Sequence, residues 1–314
     1  MRKIIFTYIA VLSLLALSYS CNDELDDELF EKAVLLTQNG WIDQELYIDE
    51  SGVISIPVVV SVNGTSGNDK DVSVEVRLAP DTLSNYNFEK YRNQTGLYYQ
   101  QPESSSITFQ DEVITIPAGT LYGVSSLTLD LNKLSDRYAD YVIPLEIGST
   151  SAYQIAEDDY SKALVHLVLK NSFSGNYTGE IAVYKTREDG SNDSGNRLTV
   201  GIKSLYALSG QTCYFYAGQF DRTSVERGQF IVNVTIDDED HVSLESPNAN
   251  LNLNMEEASV EISSVEHTTD SRYLIVTTTI KMKYTFIDLT QLDKPVLRAE
   301  GTISMNQNVL KEEE

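Results

Sequence analysis

The sequence is poor in cysteine, so disulfide bonds do not hold its fold together. Its 314 residues include only Cys21 and Cys213, and the N-terminal position of Cys21 suits acylation rather than pairing. Domains of more than about 100 residues bury enough apolar surface to fold without disulfides. Cys213 alternates with Phe215 in a predicted strand, which indicates a buried thiol rather than a nucleophile.

Histidine and the familiar catalytic motifs are also scarce. The histidines are His166, His241 and His267, and none has a second His or Cys at metal-ligand spacing. The sequence contains no G-x-S-x-G elbow, no H-E-x-x-H motif and no phosphate-binding glycine loop. The 189–196 loop starts like a calcium loop, but Ser194 stands where a glycine is needed. The sequence therefore predicts no catalytic residues, no cofactor and no metal site.

Basic residues are few as well. The chain has 23 Lys and Arg against 47 Asp and Glu, which gives a net charge of −24. Residues 1–20 carry two positive charges, so their removal takes the net charge from −24 to −26. Phosphate backbones and anionic membrane surfaces repel such a chain, which argues against nucleic acid as a partner.

A short apolar run at the N-terminus indicates export. Arg2 and Lys3 precede an apolar run over 4–17, which is shorter than the roughly 20 residues of a membrane-spanning helix. Small and polar residues follow it. This order is that of a secretory signal peptide, which we assign to residues 1–20.

Cys21 ends this pattern and is the expected lipidation site. The residues from Leu17 to Cys21 resemble a bacterial lipobox, with Ser18 in place of the usual leucine. Each buried CH₂ of an acyl chain contributes about 0.8 kcal/mol, so an acylated Cys21 is expected to hold the protein in outer-membrane lipid. Residues 21–29 then form an acidic, extended tether. The alternative is an ordinary cleaved signal with an incidental cysteine.

The first half of the mature chain reads mostly as β-strands. Runs at 53–62, 72–78 and 163–169 alternate or are rich in β-branched residues, and the last is expected to be central because it is apolar on both faces. Prolines inside three predicted strands argue for a sandwich with several edges rather than a closed barrel. One helix is predicted, with Asp81 as its N-cap and Gly96 at its end.

Four short motifs occur in order in this half of the chain: YNFEKY at 86–91, ITIPAGT at 114–120, LTLDLNKL at 127–134 and YVIPLEI at 141–147. Together they resemble the immunoglobulin-like N-terminal domain of Bacteroidetes surface lipoproteins, a family of unknown function that is also found ahead of an endoglycosidase. The resemblance implies an immunoglobulin-like β-sandwich over 30–171, without catalytic residues. It also implies a link with glycan-capture machinery, with which members are often encoded.

The acidic residues directly after Cys21 resemble the surface-export signal of the same lipoproteins. We therefore expect the protein to be lipid-anchored in the outer membrane and to face the cell exterior.

The second half also reads as antiparallel strands. The spacing of Gly175, Tyr177 and Gly179 resembles the first strand of lipocalin-like barrels, and about eight strands with turns of Gly, Asn and Asp follow. The sequence predicts a C-terminal antiparallel β domain over 172–308, as a lipocalin-like β-barrel or an open β-sandwich, and a polar tail over 309–314. The chain as a whole is predicted to be all-β.

Aromatic residues are the candidate ligand-binding residues, because sugars bind flat aromatic faces with polar groups nearby. Tyr98 and Tyr99 lie in a polar loop, Tyr214 and Tyr216 share one face of a predicted strand, and Trp41 is the only tryptophan. The alternative for each is ordinary packing. Separately, Asp81-Thr82-Leu83 matches a short O-glycosylation motif of Bacteroidetes exported proteins, although a helix cap also accounts for Asp81.

These observations lead to three functional hypotheses. The first is a non-catalytic surface lipoprotein that binds or presents extracellular glycan for a polysaccharide-uptake system, with outer-membrane uptake proteins as partners and the ligand site in the second domain. The second is a structural or adhesive module that binds other proteins, marked by an exposed apolar patch or an unpaired edge strand. The third is a hydrolase with an unrecognised active site, which requires two carboxylates converging in a cleft.

Overall fold

The computed structural model describes residues 30–311. The signal peptide, Cys21 and the acidic tether lie outside the described residues. Within 30–311, no helix has the length and apolar character needed to cross a membrane.

The first domain is a sandwich of two five-stranded sheets. One sheet has the order β5-β7-β3-β1-β9 and the other β2-β10-β8-β4-β6. The strands are β1 (Ala33–Leu36), β2 (Gly40–Tyr47), β3 (Val53–Asn63), β4 (Val72–Leu78), β5 (Ile107–Phe109), β6 (Val113–Ile116), β7 (Tyr122–Asp130), β8 (Val142–Thr150), β9 (Gln154–Ile155) and β10 (Lys162–Lys170).

Alternating side chains of the two sheets fill the space between them. Val34, Val60, Ile116, Leu127 and Ile143 are each fully buried there, and burial of such a side chain contributes roughly 1.5–3 kcal/mol. As predicted, β10 has a neighbour on each side, with β2 parallel and β8 antiparallel to it. The predicted all-β sandwich is confirmed for this domain.

Proline in β3 follows the expected rule for strand edges. Pro57 pairs with Ser126 of β7 on one side. On its other side β1 covers only Val60–Asn63. Pro57 therefore lies where the strand has a single partner, and its missing N–H breaks no ladder.

The predicted helix forms, but its ends differ from the prediction. Helix α1 (Pro80–Tyr91) starts after Ala79, whose side chain cannot cap it, so Asp81 is not the N-cap. Proline suits the first helical position because its fixed φ is already helical and no N–H goes unsatisfied. The helix ends where Arg92 adopts a φ of 53°. Gly96 instead lies in a short 3₁₀ helix, Thr95–Leu97.

The second domain is a single eight-stranded antiparallel sheet. Its strands are β11 (Gly175–Thr186), β12 (Asn192–Ala207), β13 (Thr212–Tyr216), β14 (Ile231–Ile236), β15 (Val242–Glu245), β16 (Asn254–Glu266), β17 (Tyr273–Ile287) and β18 (Val296–Leu310). Short helices also occur in both domains: α2 (Asp158–Ser161) and the 3₁₀ helices Leu131–Lys133, Arg227–Gln229 and Ala249–Leu251.

The sheet order makes this domain a nearly closed up-and-down barrel. β11 pairs with both β12 and β18, and the sheet ends at β15 and β16. The predicted barrel is therefore present, with its seam between β15 and β16. Because Val309 and Leu310 pair with β17, these two residues belong to β18 and not to the polar tail that we predicted from 309 onward.

Large aromatic side chains fill the barrel. Tyr177, Phe215, Tyr284 and Phe286 are each fully buried. The Tyr177 hydroxyl donates to the Phe173 carbonyl over 3.0 Å, and the Tyr284 hydroxyl accepts from the N–H of Gly218 over 3.2 Å. Both buried hydroxyls thus have partners, as buried tyrosine requires.

Candidate functional site

Four aromatic side chains of the first domain surround one lysine. Trp41 of β2 stacks on Tyr86 of α1, with ring centroids 4.8 Å apart. Tyr99 lies 4.9 Å from Trp41 and 5.7 Å from Tyr91. The Lys90 Nζ lies 3.2 Å from the hydroxyls of Tyr86 and Tyr99, and 5.1 to 5.3 Å from the centroids of all four rings. We call Trp41, Tyr86, Tyr91 and Tyr99 the aromatic cluster.

The environment of the aromatic cluster changes the ionisation of its members. Partial burial favours the neutral amine of Lys90, but its contacts with Tyr86 and Tyr91 together outweigh burial and raise the pKa of Lys90. Burial raises the pKa of Tyr91 to about 12. The cluster is thus a cationic centre within neutral rings, an arrangement that cation–π attraction stabilises.

A chain of hydrogen bonds runs from the cluster towards the second domain. The Trp41 Nε1–H donates to Asp43 Oδ1 over 3.0 Å, and the same oxygen lies 2.6 Å from Nδ1 of the buried His166. Burial lowers the pKa of His166 in spite of Asp43. A neutral ring with its proton on Nδ1 leaves Nε2 as an acceptor, and Nη2 of Arg222 lies 3.3 Å from it.

Two arginines of the second domain hold one buried carboxylate of the first. Asp140 is 6% exposed and accepts hydrogen bonds from Arg222 at both oxygens and from Arg227 over 3.0 Å. The Arg222 guanidinium also lies 5.1 Å from the centroid of the Tyr206 ring. The single carboxylate is thus attracted by two guanidinium groups across the domain boundary.

Hydrogen bonds outside the Asp140 ion pairs also join the domains. The Arg137 guanidinium donates to the carbonyl of Leu208 over 2.8 Å, and the Asn233 amide donates to the Tyr138 hydroxyl over 2.9 Å. Bonds of fixed geometry at several points define how the second domain sits on the first.

A cleft of about 470 Å³ opens between the two domains. Its walls combine tyrosine rings with amide, carboxylate and guanidinium groups of both domains: Tyr98, Gln100, Asp136, Tyr138, Asp140, Tyr216, Arg227 and Asn248. We call it the interdomain cleft. Ligand sites favour such boundaries because two rigid units supply the walls.

The five aromatic candidates divide between these places. Trp41 and Tyr99 belong to the aromatic cluster, and Tyr98 and Tyr216 line the interdomain cleft. Tyr214 and Tyr216 are both buried, and their rings pack edge-on with centroids 5.8 Å apart. Both are therefore packing residues of the domain junction, the alternative that applied to each candidate, and Tyr216 reaches the cleft with only 3% of its surface exposed.

Sequence reasoning missed the polar residues at the domain junction. Asp140 and Arg222 stand in irregular segments and Arg227 begins a short 3₁₀ helix, and none of them belongs to a sequence motif. Tyr138 could not be identified from the sequence either, because a tyrosine that follows Arg137 forms no recognisable pattern. Tyr86 did carry a signal, because it lies one helical turn after the apolar Leu83, and in the structure both pack against the first domain.

The remaining chemical candidates have structural roles. Cys213 is buried, and its burial raises the pKa of the thiol to about 12. Asp237, Glu239 and His241 form an exposed cluster. Asp237 Oδ1 in that cluster already accepts from the backbone N–H groups of Glu239 and His241, which is the arrangement of a solvated turn.

Comparison with protein families also divides the chain into two parts, with a boundary that lies before β10 rather than after it. Residues 27–151 match a family model described as a domain of unknown function, DUF4973. Residues 161–304 match a second family model, described as a C-terminal domain. The chain thus combines a region similar to DUF4973 with a second β domain. The predicted resemblance to a β domain of unknown function followed by another β domain is confirmed.

Solved structures from Bacteroides share this two-domain fold. A protein of unknown function from Bacteroides ovatus superposes with a TM-score of 0.77 at 21% identity, over 90% of this chain and 98% of its own. A multidomain protein including DUF1735 from the same organism gives 0.75 at 21%, over 88% and 96%. An auxiliary nutrient binding protein from Bacteroides thetaiotaomicron gives 0.72 at 21%, over 85% and 92%. A comparison with curated proteins finds no match.

Proposed function

We propose that the protein is a non-catalytic, lipid-anchored surface protein that binds extracellular glycan in the interdomain cleft and presents it to an outer-membrane uptake system. The observation that carries this proposal is the convergence of the half-buried rings of Tyr98 and Tyr138 with Asn248 of the second domain on one cleft with a polar rim. A sugar offers apolar C–H faces to such rings and hydroxyl groups to Gln100 and Asn248. The name of the auxiliary nutrient binding protein with the same fold is in keeping with this role.

The carboxylates of the cleft favour binding over hydrolysis. A glycoside hydrolase needs one carboxyl group as acid and a second as base or nucleophile. Both oxygens of Asp140 are engaged by Arg222 and Arg227, so neither is directed at a substrate. Asp136, the other carboxylate that lines the cleft, then has no partner for acid–base catalysis.

A glycan array tests the cleft. The mature chain with Cys21→Ser, produced without residues 1–20, is screened, and each hit is measured by calorimetry. Tyr98→Ala and Gln100→Ala are expected to weaken binding at least about tenfold, or 1.4 kcal/mol. Tyr122→Ala is the matched control, because Tyr122 is 56% exposed on β7 and does not line the cleft. The proposal would be contradicted if no glycan on the array bound, or if both cleft variants bound with the affinity of wild type.

The lipid anchor rests on the N-terminal sequence and needs its own experiment. Cells that express the full chain are grown with a clickable palmitate analogue. Wild type is expected to incorporate the label and Cys21→Ser is not. Protease added to intact cells is expected to remove the labelled protein from the surface. Label retained in Cys21→Ser would contradict lipidation at this residue.

Exposed apolar residues at one end of the barrel favour the adhesive module as a second candidate. Ile262 and Val265 on β16 are 42% and 59% exposed, and Val309 and Leu310 on β18 are 43% and 60% exposed. β16 is also an edge strand of its sheet, and such patches and edges mark protein contacts. Crosslinking on intact cells tests this role, since a specific partner is expected to disappear with Leu310→Ser and to remain with Lys311→Ser.

A further inference from the structure

A second groove of about 470 Å³ lies on the flank of the first domain. No residue that lines it also lines the interdomain cleft. Its lining includes two rings of the aromatic cluster together with polar side chains of both helices: Trp41, Thr82, Asn85, Tyr86, Glu89, Asp158, Asp159 and Lys162. We call it the flank groove.

The local structure explains why these residues meet. Thr82, Asn85, Tyr86 and Glu89 follow one another at helical spacing, so they form one ridge of α1. Trp41 stands on β2, the edge strand of its sheet, where no further strand covers it. The groove is the gap between that ridge, the edge strand and α2.

Three polar side chains of the groove are free to bind a ligand. Within the described residues, Asn85, Glu89 and Asp159 form no side-chain hydrogen bond or ion pair with the protein, and all three are exposed. By contrast, Lys162 Nζ is paired with Asp158 over 2.7 Å. The groove thus offers an aromatic wall and unpaired amide and carboxylate groups on its rim.

The charge of the groove limits the class of ligand. Glu89, Asp158 and Asp159 are acidic, and among residues 30–311 Lys162 is the only basic residue that lines the groove. This excess of negative charge repels uronic acids and sulfated sugars. Neutral hydroxyl groups can donate to the carboxylates without that penalty, in charge-assisted hydrogen bonds.

We propose that the flank groove is a second binding site, for a neutral saccharide unit. Trp41 and Tyr86 supply the aromatic wall, and Asn85, Glu89 and Asp159 bind the hydroxyl groups. The proposal rests on the glycan-binding function proposed above and extends it. Two sites on one anchored protein can hold the same polysaccharide at two points, which raises its retention far above that of one site.

The single tryptophan makes this proposal directly testable. Trp41 is the only tryptophan in the chain, so intrinsic fluorescence reports on the flank groove. The mature chain with Cys21→Ser is titrated with neutral oligosaccharides of glucose, mannose and galactose, and with oligogalacturonate as the acidic probe. A saturable fluorescence change is expected with a neutral probe and not with oligogalacturonate.

Variants then assign the signal to the groove. Asn85→Ala and Glu89→Gln lose no protein contact, and each is expected to raise the Kd from fluorescence at least tenfold. Tyr86→Ala is expected to do the same, with thermal unfolding as the check on its fold. Tyr98→Ala and the control Tyr122→Ala are expected to leave this Kd unchanged.

The outcomes separate the two proposals. In one outcome, calorimetric binding disappears with Tyr98→Ala, is unaffected by Asn85→Ala and leaves Trp41 fluorescence unchanged. That outcome would overturn the proposal for the flank groove and leave the proposal for the interdomain cleft intact. Binding that depends on Asn85 and Glu89 but not on Tyr98 would support the groove and contradict the cleft. No binding of any neutral probe by either method would overturn the flank groove, and tighter binding of oligogalacturonate would contradict its ligand class.

Discussion

His166 and Asp43 lie opposite each other on the parallel strands β10 and β2, with 2.6 Å between Nδ1 and Oδ1. The carboxylate favours a protonated imidazole, but burial of His166 outweighs it and lowers the pKa of the ring. The hydrogen bond to His166 in turn lowers the pKa of Asp43. The pair is therefore a carboxylate with a neutral imidazole near pH 7, and the ring can bridge Asp43 to Arg222.

The first prediction concerns the protonation of His166. Its ring centroid lies 5.2 Å from that of Trp41, and a protonated imidazole quenches a neighbouring indole. Trp41 fluorescence is therefore expected to fall on acidification with a midpoint below 6.5, the ordinary value for histidine. His166→Gln is expected to lack this transition. A midpoint above 6.5 would show that Asp43, rather than burial, has the larger effect on the pKa of His166.

The same shift makes the contribution of His166 to stability depend on pH. Because its pKa is lower in the folded protein, the unfolded chain binds more protons below pH 6.5. Its contribution is therefore complete above pH 6.5 and declines as the pH falls towards the folded pKa. Asp43 has a lowered pKa as well, so its contribution is lost only at a pH below its ordinary value of 3.8.

The second prediction concerns the charges at the domain boundary. Arg222→Ala leaves the buried Asp140 with Arg227 alone. Loss of a buried partner costs up to 3–5 kcal/mol, and with one arginine retained we expect about 2 kcal/mol in urea unfolding. Arg77→Ala is the control, because the Arg77–Glu146 pair is largely exposed and is worth less than about 1 kcal/mol. Equal effects of the two variants would contradict a special role for the Asp140 cluster.

The strand pattern of this protein could be predicted because it is local. A period of two along β3 or β4 alternates buried and exposed side chains whatever the rest of the chain does. The barrel was one of two alternatives implied by the resemblance of Gly175, Tyr177 and Gly179 to the first strand of lipocalin-like barrels. In the structure, a Cβ at Gly179 would meet the Thr302 carbonyl of β18. By contrast, the predicted N-cap was wrong by two residues. Asp81 is a typical N-cap residue and Pro80 is a typical first residue of a helix, and in the structure Pro80 takes the first helical position.

The candidate site was only partly predictable because it depends on contacts between distant segments. Tyr98 and Tyr99 are neighbours in sequence, yet Tyr98 lines the interdomain cleft and Tyr99 packs in the aromatic cluster. Asp140 and Arg222 are 82 residues apart and belong to different domains. Which loops meet at a domain boundary is decided by tertiary packing, and no local pattern contains that information.

The third prediction concerns a lysine inside the barrel domain. Lys203 is 5% exposed, and its Nζ donates to the carbonyls of Gly218 and Phe220 over 2.7 and 3.0 Å. Burial lowers its pKa from 10.5 to about 7. The unfolded chain thus binds more protons between pH 7 and 10.5, so stability rises with pH in that window.

Urea unfolding at pH 7 and pH 9 measures this effect. We expect Lys203 to add on the order of 1 kcal/mol per pH unit to the free energy of unfolding. The free energy of unfolding of Lys203→Met is expected not to rise between pH 7 and pH 9, whatever the stability of that variant at pH 7. Lys281→Met, on the barrel surface, is expected to keep the rise. A rise of the same size in Lys203→Met would show that other groups cause it.

The fourth prediction concerns the close approach of β11 and β18. A Cβ at Gly301 would lie against the Glu180 carbonyl and 2.7 Å from the Cα of Ile181, closer than real Cβ atoms come to backbone. Since backbone cannot move aside like a flexible side chain, Gly301→Ala is expected to cost about 2–3 kcal/mol. Gly210→Ala, with no atom within 4 Å of the new Cβ, is expected to stay within about 0.5 kcal/mol of wild type. If the two variants unfold at the same urea concentration, the strands are farther apart than the structure places them, and the glycine would not be what allows β18 to pair with β11.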